Sequence, residues 1–105
     1  MKEISVKELK TKIDAKENIQ LIDVREPYEA DICTIGGELI PMGEVLENAV
    51  RIKKDVPVII HCRSGKRSAA VIEALETQLG YNNLHNLKGG ILAWADEVDN
   101  SMNKY

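Results

Sequence analysis

The chain of 105 residues contains no phenylalanine, and aromatic side chains make up only 4% of it. Its hydrophobic core must therefore come from isoleucine, leucine, valine and alanine. No apolar run approaches the roughly 20 residues that a membrane-spanning helix needs. The first residues, Met1 to Ile4, lack the apolar centre of a secretory signal. We therefore expect a cytoplasmic protein with no membrane partner.

The chain has only two cysteines, and its 14 basic residues are outnumbered by its 17 acidic residues. Cys33 and Cys62 lie too far apart for a CxxC redox pair or a zinc-binding set, so we expect free thiols and neither a metal nor a cofactor. The formal net charge of -3 argues against a general nucleic-acid binder. A local concentration of positive charge on such a chain indicates a specific site.

That concentration follows the apolar run Val58 to Ile60. The pattern predicts a buried strand, a cationic loop that opens with cysteine, and a helix with Ser68 as its N-cap. Helix N-terminal amides and nearby cations lower the pKa of a thiol, and the same groups bind an oxyanion. We interpret Cys62 as a catalytic nucleophile. The candidate substrate-binding residues are those that follow it: Arg63, Ser64, Gly65, Lys66, Arg67 and Ser68.

Strand-like and helix-like segments alternate along the remaining sequence, which predicts an α/β domain with a mostly parallel sheet. We expect a single domain over residues 1–105, with a core at about 4–98 and a polar, frayed tail at 99–105. Strands are predicted at 19–24, 39–40, 56–61 and 84–87, and helices at 5–13, 27–30, 43–53, 68–79 and 91–98.

Asp23 and Arg25 come at the end of the predicted strand 19–24, just as Cys62 follows the strand 56–61. Ligands of open parallel sheets bind beyond the carboxyl ends of the strands. We therefore expect these residues to face the same crevice, with Asp23 paired to Arg25 in a supporting role. Glu29 is expected to lie on a helix surface.

Three segments of the sequence carry a family resemblance, and they are Leu21–Glu29, Cys62–Ser68 and Leu87–Trp94. In this order they make the chain resemble the single-domain rhodaneses. This resemblance implies a parallel five-stranded sheet flanked by helices and a persulfide intermediate on Cys62. A small anionic donor such as thiosulfate would supply the sulfur, and a thiol, cyanide or a protein would accept it. Ile32 and Cys33 stand where the family commonly has Gly-His, which affects the expected donor preference.

Two other functions remain open at this stage. Cysteine phosphatases and arsenate reductases place five residues between the cysteine and the arginine of a similar loop, whereas only four separate Cys62 from Arg67. The shorter loop favours a sulfur atom over a phosphate. A non-catalytic, rhodanese-like binding module is the other alternative. Cys33 is interpreted as a semi-buried loop cysteine, with a resolving thiol as its alternative role.

Overall fold

One parallel sheet organises residues 1–105, all of which the computed structural model describes. Its strand order is β1-β5-β4-β2-β3, and every neighbouring pair is parallel. The predicted five-stranded parallel sheet is therefore confirmed. The strands are β1 (Glu3–Ile4), β2 (Gln20–Asp23), β3 (Glu38–Leu39), β4 (Val58–His61) and β5 (Leu84–Leu87).

Three α-helices connect strands and a fourth follows β5, and none of the four is long and apolar enough to cross a membrane. At the first helix, Ser5 Oγ accepts from the Glu8 N–H and the Glu8 carboxylate accepts from the Ser5 N–H, both at 3.1 Å. This reciprocal cap fixes the start of the helix. The helices are α1 (Val6–Asp14), α2 (Pro27–Ile32), α3 (Lys66–Leu79) and α4 (Gly90–Glu97).

The start of α3 differs from the prediction. The helix begins at Lys66 with Gly65 as its N-cap, so Ser68 lies inside the first turn and is not the cap. Gly65 has φ of +104°, which an L side chain rarely adopts. The glycine thus ends the loop one turn earlier than the sequence pattern indicated and leaves the Ser68 hydroxyl free for other contacts.

Each face of the sheet carries its own core. The cluster on one face includes Val71, Ile72 and Leu75 of α3, packed against Ile22 and Ile60 of the central strands. The cluster on the other face combines residues of α1 and α4 with the sheet. Its members are Ile4, Val6, Leu9, Ile59, Leu87 and Trp94. Trp94 therefore packs in the core, as predicted.

Two segments depart from the predicted elements. The helix expected at 43–53 is instead a pair of 3₁₀ turns, Met42–Glu44 and Leu46–Arg51, with non-helical φ and ψ at Asn48. Val50, counted toward an apolar stripe, is 95% exposed. Strand β1 was not predicted, because two residues are too few to show an alternating pattern.

The tail 99–105 was predicted to be frayed, but it packs against the rest of the domain. Met102 packs against the cluster that contains Trp94, and Lys104 forms an ion pair with Asp96 of α4. The tail ends with the Tyr105 side chain against residues that follow β4, the central strand, and its neighbour β2. The carboxyl edge of the sheet is therefore the place where the N-terminal, middle and C-terminal parts of the chain meet.

Candidate functional site

The loop that contains Cys62 links β4 to α3. The Cys62 Sγ accepts a hydrogen bond from the Gly65 N–H at 3.1 Å and lies 3.4 Å from Ser68 Oγ. Only 1% of Cys62 is exposed to solvent. The thiol is buried, but it points toward the polar groups of the curled loop and α3.

These polar groups decide the ionisation of Cys62. Burial is the largest single influence and raises the pKa of the thiol. The Ser68 hydroxyl and the N–H groups of Ser68, Gly65 and Ser64 act in the opposite direction and outweigh it. The net result is a pKa below the ordinary value for cysteine. Hydrogen bonds thus provide the main stabilisation, whereas the sequence had also credited the cations.

Asn86 on β5 links Gly65 to Ser68, and the sequence pattern did not identify it as a site residue. Its Nδ2 donates to the Gly65 carbonyl at 3.1 Å, and its Oδ1 accepts from Ser68 Oγ at 2.6 Å. A hydroxyl has one proton, so Asn86 and the Cys62 sulfur compete for that of Ser68. The available signal was a polar amide in a buried strand, because such a group requires hydrogen-bond partners.

The start of α4 holds the back of the loop. The Ile91 N–H donates to the Cys62 carbonyl at 3.0 Å, and the Leu92 N–H donates to the Arg63 carbonyl at 3.2 Å. These bonds turn the loop carbonyls toward α4 and away from the sulfur. Gly90 allows α4 to approach the loop this closely. A Cβ at this position would overlap the Arg63 carbonyl and lie 2.8 Å from the Cys62 carbonyl oxygen.

Asp23 and Arg25 lie beside the loop and form the predicted pair. Strands β2 and β4 are neighbours, with Asp23 in register with His61. Arg25 donates to Asp23 through Nε at 3.0 Å and Nη2 at 2.8 Å, and both side chains are fully buried. Arg25 Nη2 also donates to the Cys33 carbonyl at 2.8 Å. The pair therefore fixes the segment after α2 against the carboxyl edge of the sheet.

His61 closes β4 and is completely buried. Its Nδ1 lies 3.3 Å from the Cys62 carbonyl, and its Nε2 has no hydrogen-bond partner. Burial lowers the pKa of His61, so the ring is neutral near pH 7. A neutral ring with Nδ1–H directed at the Cys62 carbonyl orients the start of the loop.

Glu29 is not on a helix surface as expected, because only 4% of it is exposed. Its carboxylate accepts from Arg67 Nη1 at 2.7 Å and from Nη2 at 2.9 Å. The two Arg67 hydrogen bonds are the main cause that lowers the pKa of Glu29 to about 2. The guanidinium predicted to bind an anion is therefore already paired within the chain.

Tyr105 completes the site from the tail, again unpredicted. Its hydroxyl accepts from Arg25 Nη1 at 3.0 Å and donates to Glu29 Oε1 at 3.1 Å. Its ring centroid lies 4.8 Å from the Arg63 guanidinium carbon, within the range of a cation–π contact. Burial is the main cause that raises the pKa of Tyr105, so the hydroxyl keeps its proton near pH 7.

Apart from Arg67, which is paired with Glu29, the predicted binding residues divide into two groups. Gly65 and Ser68 contact the Cys62 sulfur, and the Ser64 amide stabilises its anion. Arg63 and Lys66 are exposed at the outer side of the loop.

Comparison with known proteins agrees with this arrangement. Residues 5–97 match the profile of the rhodanese-like domain family. The putative sulfurtransferase YtwF of Bacillus subtilis is 41% identical over 99 residues, which cover 93% of this chain and 94% of that protein. The crystal structure of a rhodanese-like domain protein from Staphylococcus aureus is 34% identical. It superposes with a TM-score of 0.83 over 100% of this chain and 99% of that chain.

Some relatives are much longer proteins. The probable adenylyltransferase/sulfurtransferase MoeZ of Mycobacterium tuberculosis is 34% identical over 97% of this chain, but the match covers only 26% of MoeZ. This chain therefore spans about a quarter of the length of that relative. By the extent of its profile match, this chain belongs to the rhodanese-like domain family.

Proposed function

We propose that this chain is a sulfurtransferase that carries sulfane sulfur as a persulfide on Cys62. Relatives named as sulfurtransferases support a role in sulfur transfer. The observation that carries the proposal is the Cys62 sulfur, which faces the Gly65 N–H at 3.1 Å and has a lowered pKa. A thiolate is the nucleophilic form of cysteine. The loop therefore increases the fraction of Cys62 that is present as the reactive thiolate.

In the first half-reaction, the Cys62 thiolate attacks the outer sulfur of thiosulfate. A bond forms between Cys62 Sγ and that sulfur while the sulfur–sulfur bond of thiosulfate breaks. Sulfite leaves with the electron pair of the broken bond. The enzyme holds a persulfide at the end of this step, and no separate oxidant or reductant is required.

In the second half-reaction, an acceptor thiolate or cyanide attacks the outer sulfur of the persulfide. The bond to Cys62 Sγ breaks, and Cys62 leaves as the thiolate. The products are an acceptor persulfide or thiocyanate. The amides of Ser64, Gly65 and Ser68 serve both halves, because they stabilise negative charge on the thiolate and on the terminal persulfide sulfur.

The donor class follows from the charges around the loop. Arg63 and Lys66 are exposed on a chain whose net charge is -3, so positive potential is concentrated at the loop. A small anion such as thiosulfate suits that potential. The acceptor is a thiol, cyanide or a protein, and we place the reaction in the cytoplasm because a reducing compartment keeps Cys62 free.

The pairing of Arg67 favours this function over phosphoester hydrolysis. In the phosphatase alternative, Arg67 would bind the phosphate oxygens. Here both of its terminal nitrogens donate to Glu29. The remaining donors around Cys62 are a short arc of amides, which suits a single sulfur atom better than a phosphate group.

Whole-protein mass spectrometry after incubation with thiosulfate tests the proposal. The chain is expected to gain one sulfur atom, and addition of cyanide is expected to remove it. Cys33→Ser is the matched control, since it removes the other thiol and should retain the gain, whereas Cys62→Ser should lose it. No gain in the unmodified chain, or a gain that persists in Cys62→Ser, contradicts the proposal.

The same samples separate the alternatives. Hydrolysis of a generic aryl phosphate that depends on Cys62, without a gain of sulfur, identifies a phosphatase. The absence of both activities identifies a non-catalytic binding module.

A further inference from the structure

The Cys62 sulfur has hydrogen-bond donors of the protein around it, but it is poorly accessible to a reagent. Only 1% of the residue is exposed, yet sulfur transfer requires a donor and then an acceptor to reach the sulfur. The outer side of the loop therefore has to admit two different molecules in turn. The residues that cover it decide which molecules enter.

Tyr105 contacts both ends of this loop. Its ring lies over the Arg63 guanidinium at 4.8 Å, directly after Cys62 in the chain. Its hydroxyl donates to Glu29 at 3.1 Å, and Glu29 holds Arg67 at the other end of the loop. The two arginines nearest the thiol are thus both engaged by groups of the chain itself, and Tyr105 takes part in both engagements.

We propose that Tyr105 controls access to Cys62 and selects for small anions that displace it from Arg63. The inference rests on the proposed sulfurtransferase function and adds a specificity-determining residue to it. An anion that enters the site competes with the tyrosine ring for the Arg63 guanidinium. A neutral molecule gains nothing from that guanidinium and therefore reaches the sulfur less readily than a small anion.

The tail that carries Tyr105 lies over Arg63 of the loop, and its contacts are weak enough for the tail to move away. Its other attachments are the Arg25 hydrogen bond to the Tyr105 hydroxyl at 3.0 Å, the packing of Met102, and the Lys104–Asp96 ion pair. Both side chains of that ion pair are about half exposed. Exposed ion pairs contribute about 1 kcal/mol or less. None of residues 99–105 is fully buried, so we expect that displacement of the tail leaves the sheet and the Cys62 loop intact.

Alkylation of Cys62 tests the proposal independently of sulfur transfer. The rate is measured with neutral iodoacetamide and with anionic iodoacetate, at the high-pH plateau where the thiol is fully ionised. Differences between variants then report access and not the pKa of the thiol. Cys33→Ser serves as the background of every sample, so that only Cys62 reacts.

Tyr105→Ala should raise both plateau rates, and iodoacetate should gain more than iodoacetamide because Arg63 is released. We expect a gain of about fivefold for iodoacetate, the equivalent of one lost cation–π contact at an exposed site. Tyr105→Phe keeps the ring over Arg63 and should give a smaller gain. Ser101→Ala, a change in the same tail that leaves Tyr105 in place, should match the unmodified rate.

Equal or slower alkylation in Tyr105→Ala overturns the proposal, as does an equal gain for the two reagents. Either result leaves the proposed function standing if thiosulfate still loads one sulfur atom onto Cys62. Loss of that loading in the parent chain, with alkylation accelerated in Tyr105→Ala, sets aside sulfur transfer while retaining control of access.

Discussion

Glu29 on α2 and Arg67 on α3 form a two-point ion pair, although 38 positions separate them in the chain. Their N–O distances are 2.7 and 2.9 Å. The pair joins the short helix after β2 to the first turn after the cysteine loop. A carboxylate that looks like a surface residue in the sequence thereby becomes part of the wall of the candidate site.

Glu29→Gln should lower the free energy of unfolding at pH 7 by about 2 kcal/mol, the scale of hydrogen bonds to charged groups. The pKa of Glu29 is lowered to about 2, so its ionic stabilisation is complete above about pH 4.5 and is lost toward pH 2. The difference between the two chains should therefore shrink over that range in denaturant titrations. Glu73→Gln, on the exposed side of α3, should change stability by less than about 0.5 kcal/mol. A difference that does not vary with pH would contradict the assignment.

Asp23→Ala should destabilise the fold by about 3–5 kcal/mol, because it leaves the buried Arg25 guanidinium without its counter-charge. Urea denaturation at neutral pH measures the loss. Asp14→Ala is the control: it breaks the exposed Lys10–Asp14 pair on α1 and should cost about 0.5 kcal/mol or less. Similar losses in the two variants would show that burial of the Asp23–Arg25 pair does not have the effect argued here.

Ser68→Ala should raise the pKa of Cys62, because it removes the hydroxyl that contributes most to lowering that pKa. The midpoint of the pH profile of iodoacetamide alkylation should move upward, and the rate at pH 7 should fall. Thr77→Ala removes a hydroxyl from the exposed part of the same helix and should leave the midpoint in place. An unchanged midpoint in Ser68→Ala would assign the stabilisation to the backbone amides alone.

Gly90→Ala should displace the loop, since the added methyl group meets the carbonyls of Cys62 and Arg63. A shift of about 1 Å at a reacting group can lower a rate by about 100-fold. We therefore expect loading of sulfur from thiosulfate to slow by roughly 10- to 100-fold, with a raised pKa of Cys62. Gly43→Ala, where the methyl group meets nothing within 4 Å, should load at the normal rate.

The centre of the site was predictable because its signals are local in sequence. An apolar run, a cysteine and a set of cations occupy consecutive positions, and they define β4, the loop and α3. Asp23 and Arg25 were predicted to pair for the same reason, since they are two residues apart. The parallel order of the strands then brings the two segments to the same edge.

The rest of the site was not predictable because it depends on contacts between distant segments. Asn86, Glu29 and Tyr105 reach the loop from β5, α2 and the tail, and no spacing in the sequence relates them to Cys62. The 3₁₀ turns over 42–51 were also missed, because the apolar positions Leu46 and Val50 have helical spacing but remain exposed. Tertiary packing, and not local pattern, determines all of these features.

The hydrogen bonds from the Ile91 and Leu92 N–H groups to the loop carbonyls have a consequence for protein synthesis. A ribosome completes β4 and the thiol well before it adds the residues that hold the loop from behind. Until those residues emerge, the N–H groups that hold the Cys62 and Arg63 carbonyls are absent. We therefore expect the thiol of the nascent chain to reach its full reactivity only after the last helix docks.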